Sequence, residues 1–125
     1  MELWDLYTRD RIPTGEIHER GKPLPPERYH MVVHVVIFNT KGEMLIQQRQ
    51  PFKAGWPNQW DVTVGGSAVA GDTSRTAAER EVMEEIGLAI DLSREQPKLT
   101  IPFDVGFDDI YTLVMDVDLS RLTLQ

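Results

Sequence analysis

Three glutamates, Glu81, Glu84 and Glu85, fall within five residues of one another, next to Arg80 and downstream of the pair Gly65-Gly66. On a helix turning about 100° per residue, their carboxylates share an arc of about 100°, with Glu81 and Glu85 one turn apart. Like charges at that spacing cost a helix about a few tenths of a kcal/mol each. They also lie toward its C-terminal half, where the macrodipole disfavours negative charge. A hard divalent cation reverses the repulsion, because Mg²⁺ binds carboxylate oxygen and keeps several waters. An acidic run on a helix is usually just a solvated face, so the surrounding residues must decide between the two readings.

Those surroundings favour a built site. Residues 73–86 read as a helix. Thr73 is a plausible N-cap, and Thr76 with Glu79 also fits a capping box, so two starts are open. Gly87 stands where a helix ends in a left-handed residue, and Leu88 can return an apolar contact. Ala78, Val82 and Ile86 recur every fourth residue as the buried stripe, and the carboxylates border it. Gly65 and Gly66 have no Cβ, so their backbone can approach a ligand or an ion and offer a carbonyl oxygen. Arg80 can hold the carboxylates by hydrogen bonding or reach a phosphate.

Around this segment the chain reads mainly as strands. Residues 3–7 and 15–18 flank a polar turn and form an N-terminal hairpin or arm, ended by the proline-rich stretch 21–26. Residues 30–38 form a strand with Val33, Val35 and Ile37 on one face and His30, Val32, His34 and Val36 on the other. The two histidines can be read as strand residues or as a metal pair. A turn at 39–42 leads to a returning strand at 44–49. Residues 51–58 form a loop, and 60–64 is a short strand running into the glycine pair. Strand character returns at 99–101 and 110–117. No second helical pattern appears before Gln125, so one face of the sheet is expected to lack cover. Trp56 and Trp60 serve either as packing anchors or as platforms for a base.

Composition narrows the partners. The chain has 125 residues, enough for one domain. Its net charge of −7 repels polyanions, so polymeric nucleic acid and anionic membranes are not expected to bind. The absence of cysteine excludes disulfides, thiolate metal sites and cysteine nucleophiles. The N-terminus lacks the pattern of a signal peptide. The longest apolar run, residues 31–38, is interrupted by His34 and falls far short of the roughly 20 residues that span a bilayer. A soluble, cytoplasmic domain is the expectation.

The spacing Gly66, Asp72, Arg80-Glu81-Val82, Glu84-Glu85, Gly87-Leu88 resembles the signature box of the Nudix hydrolases. In that box a glycine is followed after five residues by Glu, after seven more by Arg-Glu and an apolar residue, and then by Glu-Glu, Gly and an apolar residue. Eight of the nine specified positions match, and Asp72 stands where the family has Glu. The likeness extends more loosely over residues 32–117.

The resemblance implies an α+β fold, a mixed β-sheet with flanking helices in an α/β/α sandwich. The C-terminal closing helix is missing from the pattern, as though the domain were truncated. Residues 1–125 form one domain, with 1–29 as the arm and 30–125 as the core. The resemblance also implies Mg²⁺- or Mn²⁺-dependent hydrolysis of a diphosphate bond in a nucleoside diphosphate linked to another moiety, by water attack at phosphorus. Glu81 and Glu85 would be the main metal ligands. Glu84 would be a further ligand or a carboxylate that orients the attacking water. A carbonyl of Gly65 or Gly66 would complete the shell, and Arg80 would support catalysis. Asp109 is the candidate acidic ligand after the box, with Asp104 and Asp108 as alternatives. Arg49 and Gly66 are candidates for contact with substrate. Asp72, one methylene shorter than Glu, would weaken the metal shell or reach it through water.

Two other functions remain open: a Nudix-fold binding module without turnover, and an enzyme like isopentenyl-diphosphate isomerase. The latter needs a cysteine where Gly65 stands and a histidine near Ser67, and this chain has neither. The uncovered sheet face is a candidate for pairing two copies, with exchange of the N-terminal arm as one route.

Overall fold

The computed structural model describes residues 1–48 and 60–123. Arg49 and Trp56 lie outside the described residues, as does the side chain of Trp60. Strands β1 (Leu3–Tyr7) and β2 (Pro13–Glu19) form an antiparallel hairpin. They are followed by β3 (His30–Phe38), β4 (Ile46–Gln48), β5 (Trp60–Val62), β6 (Val64–Ser67), helix α1 (Ser74–Ile86), β7 (Leu99–Phe103), β8 (Gly106–Val114) and a 3-10 turn at Leu119–Arg121.

The central sheet has the order β6-β3-β8-β7. β3 runs parallel to β8 and antiparallel to β6, and β7 is antiparallel to β8, so the sheet is mixed as expected. β3 is central because its β-branched residues are buried on alternate positions. Val33, Val35 and Ile37 are at most 1% exposed and pack against Val64, Ala77, Ala78, Val82 and Ile86. α1 covers that face, joined by Leu92 from the segment that follows it. On the other face, among the described residues, Leu99, Ile101 and Phe103 of the β7 edge are 40–49% exposed, in line with the single helical pattern in the sequence. Among the described residues, no helix is long and apolar enough to cross a membrane.

Several strand boundaries differ from the sequence pattern, three of them with a visible cause. The segment after the 39–42 turn meets β3 only at the Phe38–Met44 bridge and then leaves it, and β4 pairs with β5. The expected strand over 60–64 is split at Thr63. The buried hydroxyl of Thr63 accepts from the Ile37 amide at 2.9 Å and donates to the Leu45 carbonyl at 2.6 Å. A side chain thereby fills a place that a strand backbone would take. β8 starts earlier than expected, at Gly106, because its whole length pairs with β3.

The helix takes the first of its two available starts. Thr73 is the N-cap, accepting from the Thr76 amide at 3.1 Å, and the Thr76 hydroxyl accepts from the Thr73 amide at 2.8 Å. Thr76 therefore closes the capping box instead of opening one. Glu79 is drawn elsewhere and accepts from the Leu92 amide at 2.6 Å. Gly87 ends the helix at φ 69°, with its amide donating to the Met83 carbonyl. A Cβ there would sit 2.9 Å from Thr123 Cβ. Gly87→Ala is therefore expected to cost at least about 1–2 kcal/mol, the penalty for a left-handed alanine. Urea unfolding at constant m-value would measure it.

The N-terminal hairpin docks on its own chain. Tyr7 bridges Tyr29, the Ala70 amide donates to the Leu3 carbonyl at 2.8 Å, and the Gly71 amide donates to Asp5 at 2.8 Å.

Candidate functional site

The two glycines of β6 present opposite faces, because successive strand residues alternate. Gly66 pairs with Val33 on the helix side, and Gly65 pairs with His34 on the other. A Cβ on Gly66 would lie 2.4 Å from Glu81 Cδ and 2.6–2.7 Å from its oxygens. Glycine at 66 thus lets the Glu81 carboxylate lie directly on the strand backbone. Glu85, one helical turn further on, accepts from the Gly65 amide at 3.2 Å and from Gln47 Nε2 at 3.2 Å. Gln47 itself is fixed by donating to the Thr63 carbonyl at 2.6 Å. The chain therefore brings Glu81 and Glu85 together on the Gly65-Gly66 backbone.

Glu84 stands apart from that pair. Arg80 Nη1 donates to Glu81 at 3.0 Å and to Glu84 at 3.1 Å, leaving the Glu84 side chain 49% exposed on the outer side of the guanidinium. Two of the three carboxylates meet, and the third is held beside them. Among the described residues, no group of three or more Asp, Glu or His side chains is arranged to enclose an ion. Next to Arg80 and Glu84 lies a groove of about 540 Å³, lined also by Met1, Glu2, Leu3, Val69 and Ala70.

Arg80 is hydrogen-bonded to three carboxylates, those of Glu81, Glu84 and Asp72. Nη2 donates to Asp72 at 2.9 Å and to the Ser67 carbonyl at 3.3 Å. Asp72 also accepts from the Val69 amide at 3.0 Å, so its shorter side chain reaches the site through Arg80. Burial opposes the charge on Arg80, but its bonds to Asp72 and Glu81 outweigh that and raise its pKa.

Backbone alternation bears on which glycine carbonyl is free. The Ala68 amide donates to the Met31 carbonyl, which makes 68 and 66 the positions turned to β3 and 65 and 67 the ones turned away. Consistently, Ser67 offers its carbonyl to Arg80 and Gly65 its amide to Glu85. The carbonyl of Gly65, not that of Gly66, therefore faces the outer edge.

Two half-buried carboxylates and an outward carbonyl form an all-oxygen donor set, which suits Mg²⁺ or Mn²⁺. The electrostatics agree. Burial, then the neighbouring Glu81, pushes the Glu85 carboxyl up to about 7. Burial likewise raises Glu81, against the pull of Arg80. The native state holds these protons more tightly than the unfolded chain, where a glutamate titrates near 4.5. The stabilising contribution of Glu85 is therefore complete below about 4.5 and lost as pH rises through about 7, and that of Glu81 is lost in the same direction. In EDTA, the melting temperature is expected to fall across that window, and Mg²⁺ is expected to restore it at the alkaline end. A flat profile in EDTA would contradict the burial of this pair.

Asp109 sits elsewhere. Its carboxylate is 1% exposed and accepts four hydrogen bonds. Arg11 donates twice at 2.8 Å, Thr100 once at 2.6 Å and Ser74 once at 2.7 Å. That fills the roughly four acceptor sites of a carboxylate, leaving none for an ion. Burial works against its charge, but Arg11, Thr100 and Ser74 outweigh it and hold the carboxyl below the usual range. Of the alternatives, Asp108 pairs with His34 Nδ1 at 2.7 Å, and Asp104 is exposed in the β7–β8 turn. The two strand histidines have separate environments: His30 stacks on Trp4, with ring centroids 4.0 Å apart, while His34 lies against Gly65.

Gln47 and the Arg11 network were not legible as site-forming residues. Gln47 is one polar residue on a short strand, and Arg11 reaches Asp109 across 98 residues of sequence.

Comparison with known proteins agrees with the geometry. Residues 28–119 match the NUDIX domain family. A Nudix hydrolase of Listeria innocua is 54% identical over 125 residues, covering 100% of this chain and 74% of that protein. An isopentenyl-diphosphate Delta-isomerase of Streptomyces coelicolor is 31% identical over 93 residues, covering 74% of this chain and 47% of the isomerase. A Deinococcus radiodurans crystal structure superimposes with a TM-score of 0.79 at 25% identity, over 99% of this chain and 76% of its own.

Proposed function

The chain belongs to the Nudix hydrolase family, and from that premise we propose that it hydrolyses the diphosphate bond of a small nucleoside diphosphate derivative with Mg²⁺ or Mn²⁺. The observation that carries this reading is the Glu81–Glu85 pair seated on Gly65-Gly66. Glu81, Glu85 and the Gly65 carbonyl are the proposed ligands. Asp109 is left out because its acceptor sites are filled. A divalent cation bound there would neutralise diphosphate charge and acidify a water molecule.

The protein's own groups would do the rest. Glu84, solvent-facing and steadied by Arg80, would accept a proton from the attacking water. Arg80 holds Glu81 and Glu84 at a fixed separation. The open depression beside Arg80 and Glu84 would be the side from which substrate approaches. A net charge of −7 favours substrates that arrive with their own cations. A cytoplasmic location suits a small diphosphate substrate, and pairing of two copies through the uncovered face is a further expectation that light scattering would test.

The binding-module reading draws on one observation, that Glu84 stands outside the carboxylate pair. A panel of nucleoside diphosphate derivatives incubated with Mg²⁺ separates the two. Metal-dependent release of a phosphate-bearing product is the expected result, and binding without release across the panel would favour the module. The isomerase reading lacks its acid, since Gly65 occupies the cysteine position.

A further inference from the structure

His34 stands on the face of the sheet opposite the carboxylates, yet it touches the same glycine pair. Its ring lies against Gly65 so closely that a Cβ there would be 2.5 Å from His34 Cδ2 and 2.6 Å from Nε2. The ring is not free to yield, because its Nδ1 is bonded to Asp108 at 2.7 Å and Asp108 belongs to a different strand, β8. On the other side of β6, Glu81 occupies the space over Gly66, and Glu85 accepts from the Gly65 amide.

We propose that His34, held by Asp108, is a positioning residue that backs the Gly65-Gly66 strand against the Glu81–Glu85 pair. The physical need is plain. β6 is an edge strand of the central sheet, so only β3 restrains it by a ladder. Two successive glycines have the greatest backbone freedom of any residues and no side chains to pack. Mutual repulsion between Glu81 and Glu85 acts on that same segment. The imidazole supplies the packing that Gly65 lacks, and Asp108 ties the imidazole to the middle of the sheet. The line Asp108–His34–Gly65–Glu85 thus crosses the sheet from its uncovered face to its helix face. A group that orients ligands without touching the ion typically governs metal affinity by about 10- to 100-fold.

The inference rests on the reading of Glu81 and Glu85 as metal ligands, and the test keeps the two apart. Mn²⁺ binding is measured without substrate, by electron paramagnetic resonance of the free ion, on the whole chain and on Glu85→Gln, His34→Ala, Gly65→Ala and the double variant His34→Ala/Gly65→Ala. Folding is followed by circular dichroism. The expected result is about 10- to 100-fold weaker binding by His34→Ala. Gly65→Ala is also expected to weaken binding. The double variant is expected to bind more tightly than Gly65→Ala, because the new methyl takes the space the ring has left. A solely stabilising histidine would not produce that rescue. Should His34→Ala fail to fold, Asp108→Ala frees the ring without removing it and is expected to weaken binding in the same direction. If Glu85→Gln loses Mn²⁺ while His34→Ala, or Asp108→Ala in its place, binds as the natural chain does, the positioning role is overturned and the ligand pair stands. If Glu85→Gln binds Mn²⁺ unchanged, the ligand pair itself fails, and the positioning role with it.

Discussion

Glu85→Gln is expected to lower kcat by about a thousandfold while leaving a folded protein. The magnitude follows from losing a ligand to a cation whose charge stabilisation is worth several kcal/mol, at tenfold per about 1.4 kcal/mol. The fold should persist because glutamine is nearly isosteric and can still accept from the Gly65 amide. Its amide nitrogen faces Gln47 less favourably, a small local cost beside what it removes. That is a carboxylate driven up to about 7 by burial and by Glu81. In EDTA above pH 7 the variant should therefore melt no lower than the natural chain, and its loss of stability between pH 4.5 and 7 should shrink. Steady-state kinetics with Mg²⁺ and a melting series in EDTA check both halves. Turnover at the natural level would rule out the proposed ligand set.

Asp109→Ala is expected to destabilise the fold by about 3 kcal/mol without touching the carboxylate pair. Removing one member of a buried ion pair commonly costs about 3–5 kcal/mol. The lower end applies here because Arg11 is 36% exposed and can turn to water. Ser74 and Thr100 each lose an acceptor as well, and Ser74 remains bonded only to the Tyr111 hydroxyl at 2.8 Å. The network joins the N-terminal hairpin, the start of α1 and strands β7 and β8, so the loss should lower the melting temperature of the whole domain by about 10 °C. Metal affinity should change much less than in Glu85→Gln. The reverse pattern, normal stability with lost metal binding, would return Asp109 to the ligand set.

The contrast between these two acids shows what sequence could convey. Glu85 was legible because its meaning is local. Helical periodicity, the glycine pair and Arg80 all lie within a short stretch, and their spacing fixes relative directions. The helix cap at Thr73 and Gly87, and the buried face of β3, were legible for the same reason. Asp109 was misleading because an acid on a strand after the box shows its residue type but not its partner, and that partner lies 98 residues away. The split at Thr63 escaped detection because strand propensity is blind to a hydroxyl that bonds two neighbouring backbones. Gln47 and His34 act across strands, so their roles depend on register, which a single chain does not display.

Arg80 gives the spacing of the glutamate segment a mechanical reading. One guanidinium grips the beginning of the 67–72 loop at the Ser67 carbonyl, its end at Asp72, and the helix at Glu81 and Glu84. The fork therefore works as a gauge: residues 68–71 must return the chain to within its span, and no more. Lengthening that loop by a residue would release one prong, and a lysine, with a single pivoting ammonium, could not clasp all the anchor points together. The fixed count between Gly66 and Asp72 can thus be read as the width of an arginine.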